Sequence, residues 1–295
     1  QKITKKILLL NYINMKNIVA LLLGILIIFP VFSQEEEEDN RPVRPPFETS
    51  ILIDNHTVVS PWKNTWEFQI YHRFGEVTNG ISDIFGIYAP SNIRLGLNYG
   101  LTDRIMIGAG STKDYKLQDL QWKYAILQQT RSGSMPISLS YYGNMVIDAR
   151  EEGSFGPEDQ FKEIHRLSYF TQLIVSHKFN FKYSLQVAPS FIYYNSVQEG
   201  YKNANFGIHA AGRAKLFGST AIIAEYDQLL NKQENEEFDP KPNLALGVEI
   251  GTATHAFHIF ISNYKQIINQ RNLLYNTNDF SEGEFLLGFN ITVRF

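Results

Sequence analysis

The sequence predicts an all-β protein: an up-and-down antiparallel transmembrane β-barrel of about twelve strands behind an N-terminal signal peptide. Three observations predict it. Apolar residues alternate with small or polar ones along most of the 295 residues. No window after Trp66 sustains a helical period. The connections between the alternating stretches are short at one end and long at the other.

The leader comes first. Residue 1 is Gln, and Met15 is the better start, so residues 1–14 are read as an upstream extension. After Met15 and Lys16, the run Ile18 to Phe32 is apolar apart from Asn17 before it and the interruptions Gly24 and Pro30, and Ser33 closes it. A short basic region, an apolar stretch and a small residue at the end are the parts of a secretory signal peptide, here 15–33, with cleavage expected before Gln34. The run is shorter than the roughly 20 apolar residues a membrane span needs. The leader removes Lys2, Lys5, Lys6 and Lys16 and no acid, so the mature chain keeps 23 of 27 basic residues against 30 acidic ones, a formal charge of −7. Residues 34–46, an acidic run followed by Arg41-Pro-Val-Arg-Pro-Pro46, are expected to form a flexible tail.

From Trp66 onward the alternating segments fall at about 66–74, 91–99, 104–112, 116–129, 135–148, 165–178, 181–194, 204–215, 219–227, 242–251, 254–263 and 282–295. In the last, Leu287, Phe289, Ile291, Val293 and Phe295 share one face while Gly288, Asn290, Thr292 and Arg294 share the other. Gly100-Leu-Thr-Asp103, Phe179-Asn-Phe181 and Gly251-Thr-Ala253 are tight turns. Arg150 to Ile164, Asp227 to Lys241 and Tyr264 to Ser281 are long and polar; only the third connection is short where the pattern calls for length. Short periplasmic turns, long outer loops and an even strand number describe a bacterial outer-membrane barrel. Lipid offers no partner to an unpaired amide, so only closure satisfies every strand. Trp66, Tyr99, Trp122, Tyr183, Tyr193 and Tyr226 on the apolar face are predicted to form the interfacial girdle.

Composition excludes other chemistries. The chain has no Cys, which rules out disulfides, thiolate metal sites, a thiol nucleophile and a lipidated cysteine. The charge balance shows no basic stripe for nucleic acid. No metal site or cofactor is predicted: the odd spacing of His255 and His258 places them on opposite faces of one strand. The same parity separates His165 from Ser168 and Ser176 from His177, the serine–histidine pairs that a lipid hydrolase would use. Gly108-Ala-Gly110 is read as small residues that leave lumen space to other groups.

The blocks His72-Arg-Phe-Gly75, Ile93-Arg-Leu-Gly-Leu-Asn-Tyr-Gly-Leu-Thr-Asp103, Lys123-Tyr-Ala-Ile-Leu-Gln128, His255-Ala-Phe-His-Ile-Phe-Ile-Ser-Asn263 and Leu287-Gly-Phe-Asn-Ile-Thr-Val-Arg-Phe295 resemble a Bacteroidetes family of uncharacterised outer-membrane β-barrels. The resemblance covers Phe47 to Phe295 and implies fold and location, with no activity attached. A final amphipathic strand ending on Phe295 is similar to the signal read by the outer-membrane insertion machinery, which is the expected assembly partner.

Strand parity turns Glu67, Arg73, Arg94, Lys123, Arg213, Lys215, Glu225, Glu249 and Arg294 into the lumen, where they are read either as a structural network of paired charges or as the constriction of a channel. Glu67 and Arg294 are predicted to meet where the last strand closes on the first. Arg73 and Arg94 are expected near the outer rim, placed for an anionic solute or lipopolysaccharide phosphate or simply to pair with loop acids. Phe47 to Pro61 is too apolar for a linker; it is read as a lumen plug or as a contact for a periplasmic partner, and Ile81 to Tyr88 poses the same question from outside. The functional expectation is a narrow channel for small polar solutes, with a non-transporting scaffold barrel as the alternative and an outer-membrane lipid hydrolase third.

Overall fold

The computed structural model describes residues 38–295. The signal peptide and the upstream extension lie outside the described residues. Twelve antiparallel strands follow one another around a closed barrel: β1 (Trp66–Glu76), β2 (Asn92–Gly100), β3 (Ile105–Thr112), β4 (Leu117–Leu127), β5 (Ser138–Asp148), β6 (Leu167–Lys178), β7 (Tyr183–Tyr194), β8 (Ala204–Phe217), β9 (Thr220–Leu229), β10 (Asn243–Gly251), β11 (His255–Ser262) and β12 (Leu286–Arg294). The all-β, up-and-down prediction holds, and each strand lies within a few residues of its expected place. Alternation sets the faces: along β4, Leu117, Asp119, Gln121, Lys123 and Ala125 are buried while Gln118, Leu120, Trp122 and Tyr124 are exposed.

β12 closes on β1 with Glu67 opposite Arg294 and Ile70 opposite Ile291. Phe295, itself exposed, exchanges two backbone hydrogen bonds with Trp66 and finishes the seam. The long connections lie at the upper rim, and the tight turns lie at the lower rim with the N-terminal segment. One lower connection is longer than expected. Residues 128–137 do not form a tight turn, because they receive the incoming chain: the amides of Val43, Arg131 and Ser132 bond to the carbonyls of Gln129, Arg41 and Asp39. Residues 39–43, expected as flexible tail, are therefore fastened to the barrel.

Twelve strands enclose more space than wall side chains fill. Two further segments occupy it. From below, residues 47–61 enter and turn back as a small hairpin, with Leu52 N bonded to Asn55 O and Thr57 N to Ser50 O, each at 2.9 Å. From above, the connection after β11 descends and forms α1 (Asn269–Tyr275). Phe47, Leu52, Ile53 and Val59 pack with Ala211, Ile223, Ala245, Phe260 and Tyr264. Leu273 and Leu274 pack on Phe170, Ile174, Ala188 and Ile192. The lumen thus acquires apolar cores that the wall pattern alone does not announce.

Of the two placements read for Phe47 to Pro61, the lumen is the one found. The other plug reading fails: Ile81 and Tyr88 are 77% and 78% exposed. Where that loop returns, Gly75 N bonds to Gly86 O at 2.9 Å, and the two backbones run so close that a Cβ on Gly86 would fall 2.2 Å from Gly75 O. The helix was hidden in a connection expected to be polar. Seven residues give no sustained helical period, although Ile267, Ile268, Leu273 and Leu274 are an apolar excess there.

Candidate functional site

The lumen wall is built by parity, and its charged residues meet along two axes. The first is wall to wall. Arg294 Nε reaches Glu67 Oε2 at 2.9 Å, the predicted closure pair. Arg94 grips Asp119 of β4 at 2.9 and 2.6 Å. Arg213 donates to Glu249 at 2.7 Å, and His258 sits 3.1 Å from the same carboxylate. His258 is fully buried while His255, on the other face, contacts Thr254 outside, as their odd spacing requires. Lys215 is half-buried at the lower end of β8 and joins none of these pairs.

The second axis runs from wall to inserted hairpin. An extended segment in a lumen brings backbone donors and acceptors that no sheet satisfies, and each one left unpaired is costly. Wall side chains meet them. The Glu225 carboxylate accepts from the amides of Ile53, Asp54 and Asn55 at 2.7, 2.9 and 3.1 Å. Lys123 Nζ donates to the carbonyls of Ser50 and Val59 at 2.9 and 2.8 Å. Asn290 Nδ2 donates to Ile53 O at 2.6 Å, and Gln186 Nε2 to His56 O at 2.9 Å. Asp54 answers Arg73 with both oxygens, and the Ser50 hydroxyl donates to Glu67. The helix joins in, with Asn269 Nδ2 donating to Asp54 O at 2.9 Å.

These contacts correct one expectation. Arg73 and Arg94 are 0% and 3% exposed and do not present themselves at the outer rim. Hairpin and helix fill the space above and around them, so Arg73 takes its acid from the hairpin and Arg94 from β4. The girdle needs a smaller correction. Trp66 and Tyr99 pack as a tilted pair outside the barrel at 4.5 Å between ring centroids near the lower ends of β1 and β2, and Tyr183, Tyr193 and Tyr226 also face outward. Trp122 faces outward at mid-strand, where it covers Gly143: a Cβ there would lie 2.7 Å from its ring. It fills a surface gap left by a glycine.

Glycines inside the wall follow the expected logic. A Cβ on Gly110 would come 2.3 Å from Arg94 Nη2, and one on Gly108 2.0 Å from Asn98 Oδ1. The large polar side chains occupy the volume that these residues leave.

One arrangement escaped sequence reasoning altogether. His209 lies 2.9 Å from Asp227 through Nδ1 and 2.9 Å from Ser190 Oγ through Nε2, the bond order of an acyl-transfer triad. The three residues sit on three successive strands, so no spacing within one strand reveals them. All are buried, Asp227 also accepts from Asn55 of the hairpin, and Leu273 of α1 lies over Gly207 beside Ser190. In this state the array helps seat the hairpin. The serine and histidine residues that parity separates make other contacts: Ser168 meets Gln270, Ser176 bonds to Leu185 O and His177 to Pro136 O.

A closed antiparallel barrel with an apolar outer face and a charged, occupied lumen defines an integral membrane β-barrel. Residues 47–295 match the family described as Membrane bound beta barrel domain (DUF5777), and the chain belongs to that family. Among solved structures it is similar to the NanC porin, with 10% identity over 78% of this chain and 98% of that one, TM-score 0.49. It is similar to the COG4313 outer membrane channel from Pseudomonas putida F1, with 11% identity over 80% and 97%, TM-score 0.48. It is also similar to outer membrane phospholipase A from Escherichia coli, with 13% identity over 81% and 93%, TM-score 0.40. None of the curated proteins compared with it matches. Likeness at this distance leaves function to be argued from the barrel itself.

Proposed function

We propose that the protein is an outer-membrane channel of a Gram-negative envelope that admits small polar solutes, without enzymatic activity, and that the state described here is its closed one. One observation carries the reading. The groups that fill the lumen, residues 47–61 and the connection holding α1, lie outside the twelve paired strands, so either can withdraw without breaking a hydrogen bond of the barrel wall. The wall left behind is mixed: charged and polar side chains lie beside two apolar patches, Phe170, Ile174, Ala188 and Ile192 on one side and Ala211, Ile223, Ala245 and Phe260 on the other. Withdrawal frees Arg73, Lys123 and Glu225 from their hairpin partners, while Arg94–Asp119 and Glu67–Arg294 stay paired across the wall. Side chains of both signs around the bore suit a polar solute better than a single class of ion.

Planar-bilayer recording on the purified protein tests this. Wild-type protein should stay closed for long intervals, and a chain lacking residues 34–61 should open in steps whose size changes when Arg94 or Lys123 is neutralised. Silence of the truncated chain at every voltage would remove the channel reading.

A second reading is favoured by the number of buried bonds on the hairpin. A segment held by Glu225, Lys123, Asn290, Gln186 and Arg73 together is also what a permanently closed barrel would have. Such a barrel would serve as a scaffold, with residues 39–46 at the lower rim as its periplasmic contact. Assembly through the strand that ends at Phe295 and contact with lipopolysaccharide through the upper loops belong to either reading.

A further inference from the structure

The upper mouth of the barrel holds a cavity of about 560 Å³ between α1 and the connections after β5 and β7. Three arginines line it, and they are not equivalent. Arg150 is engaged by Asp148 at 2.9 and 2.7 Å. Arg166 is engaged by Glu163 at 3.0 Å and by the carbonyls of Asp148 and Arg150. Arg271, on α1, takes part in neither pair. Its Cζ lies 3.5 Å from the Tyr115 ring centroid and 4.7 Å from that of Tyr275, and its Nε is buried with no hydrogen-bond partner among the described residues. A second donor of the same cavity is also unused: the Tyr194 hydroxyl is buried without a partner, and Tyr194 as a whole is 8% exposed.

Rings that cover the faces of a guanidinium leave its edge for recognition, and that edge matches the oxygens of a carboxylate or phosphate. We infer that this cavity binds the oxyanion group of a small solute, with the edge of Arg271 as the charged donor and the Tyr194 hydroxyl as the neutral one. This deepens the channel reading, on which it rests for its physiological meaning, by naming the class of solute met at the outer mouth. A free solute fits better than a lipopolysaccharide phosphate. The cavity is lined by inward-facing Leu117, Val146 and Ser168 and is walled from lipid by β4 to β7, and its volume suits a molecule of sugar size. The rim outside carries Glu151, Glu152, Glu158 and Asp159, so attraction acts at contact range and not through a long-range positive field.

Calorimetric titration of the whole protein in detergent tests the assignment, with glucuronate, inorganic phosphate and glucose as probes at one ionic strength. Glucuronate and phosphate should bind and glucose should not. Arg271→Gln should weaken glucuronate binding by about tenfold or more, Arg271→Lys by less, and Tyr194→Phe by a few-fold, reflecting one charged and one neutral hydrogen bond. Heat-dependent gel mobility confirms that each variant forms the barrel. Equal binding of glucose and glucuronate, or undiminished binding by Arg271→Gln, overturns the proposal. So does binding to lipopolysaccharide-containing vesicles but not to either free anion, which assigns the donors to lipid. The two failures stay separate: a protein that binds through Arg271 but never conducts keeps this site and loses the channel, and one that conducts without such binding does the reverse.

Discussion

Asp54 of the inserted hairpin and Arg73 of β1 form a two-pronged ion pair at 2.9 and 2.8 Å, with side-chain exposures of 2% and 0%. One partner belongs to the wall and the other to the segment that closes it. The pair therefore fixes the hairpin at a definite depth, and Asn290 assists by donating to Ile53 O at 2.6 Å while accepting from Arg73 at 2.9 Å.

Removing one member of such a pair strands the other in the interior, a loss of about 3–5 kcal/mol where the charge stays buried. Asp54→Asn should loosen the hairpin, seen as faster proteolysis within residues 47–61 and more frequent channel openings. The double variant Asp54→Asn with Arg73→Gln should recover part of the loss. Cleavage of the single variant at the wild-type rate would show that the pair does not seat the segment.

Lys123 holds the two carbonyls that flank the hairpin, Ser50 O and Val59 O. Lys123→Met keeps much of the side-chain bulk but leaves both acceptors without their donor, at about 1–3 kcal/mol for each orphaned group. Amide exchange in residues 50–59 should accelerate while exchange in the strands stays slow. Uniform acceleration throughout the barrel would contradict a local role.

Gly110 makes room for Arg94. Gly110→Ala should push the guanidinium off Asp119 and lower the barrel's thermal stability by about 1–3 kcal/mol, as overpacking does. Gly212→Ala is the control: its new Cβ would find its nearest atom, Leu185 Cδ1, at 3.7 Å, an ordinary contact. Heat-dependent mobility on gels compares the two, and equal midpoints would reject the explanation.

His56 stacks on Tyr142 at 3.6 Å between centroids. Burial first, and then the cations Lys123 and Arg94, hold its imidazole well below the usual 6.5. The seated hairpin thus carries a neutral imidazole, while a released hairpin can take up a proton. Stability from this group is complete above about pH 6.5 and is lost as the pH falls below that value. Burial raises the carboxyl of Asp54 despite Arg73, which works in the opposite direction. The contribution of His56 is therefore read as a difference: between pH 7 and 5, wild type should gain more hairpin release than His56→Gln. Parallel pH curves would dismiss it.

Much of the wall was legible because side-chain direction in a strand is a local property. Parity alone turns Glu67, Arg94, Lys123, Glu225 and Arg294 inward, and closure of the last strand on the first then brings Arg294 to Glu67. Parity gives no depth and no partner. For that reason it left Arg73 and Arg94 without the chain that covers them, took Trp122 for a girdle residue and left Ser190, His209 and Asp227 unconnected across three strands.

The sequence by itself determined the number of strands, the inward face of the charged wall residues and the meeting of Glu67 with Arg294, since a two-residue period and a closing seam are written along the chain. What fills the barrel was decided only in three dimensions. Phe47 to Pro61 read equally as a plug or as a periplasmic contact until its amides were seen against Glu225, some 170 residues away. Bonds of that reach depend on the bore that twelve closed strands leave open, and an interior wider than its own side chains must take in water, solute or a further stretch of chain.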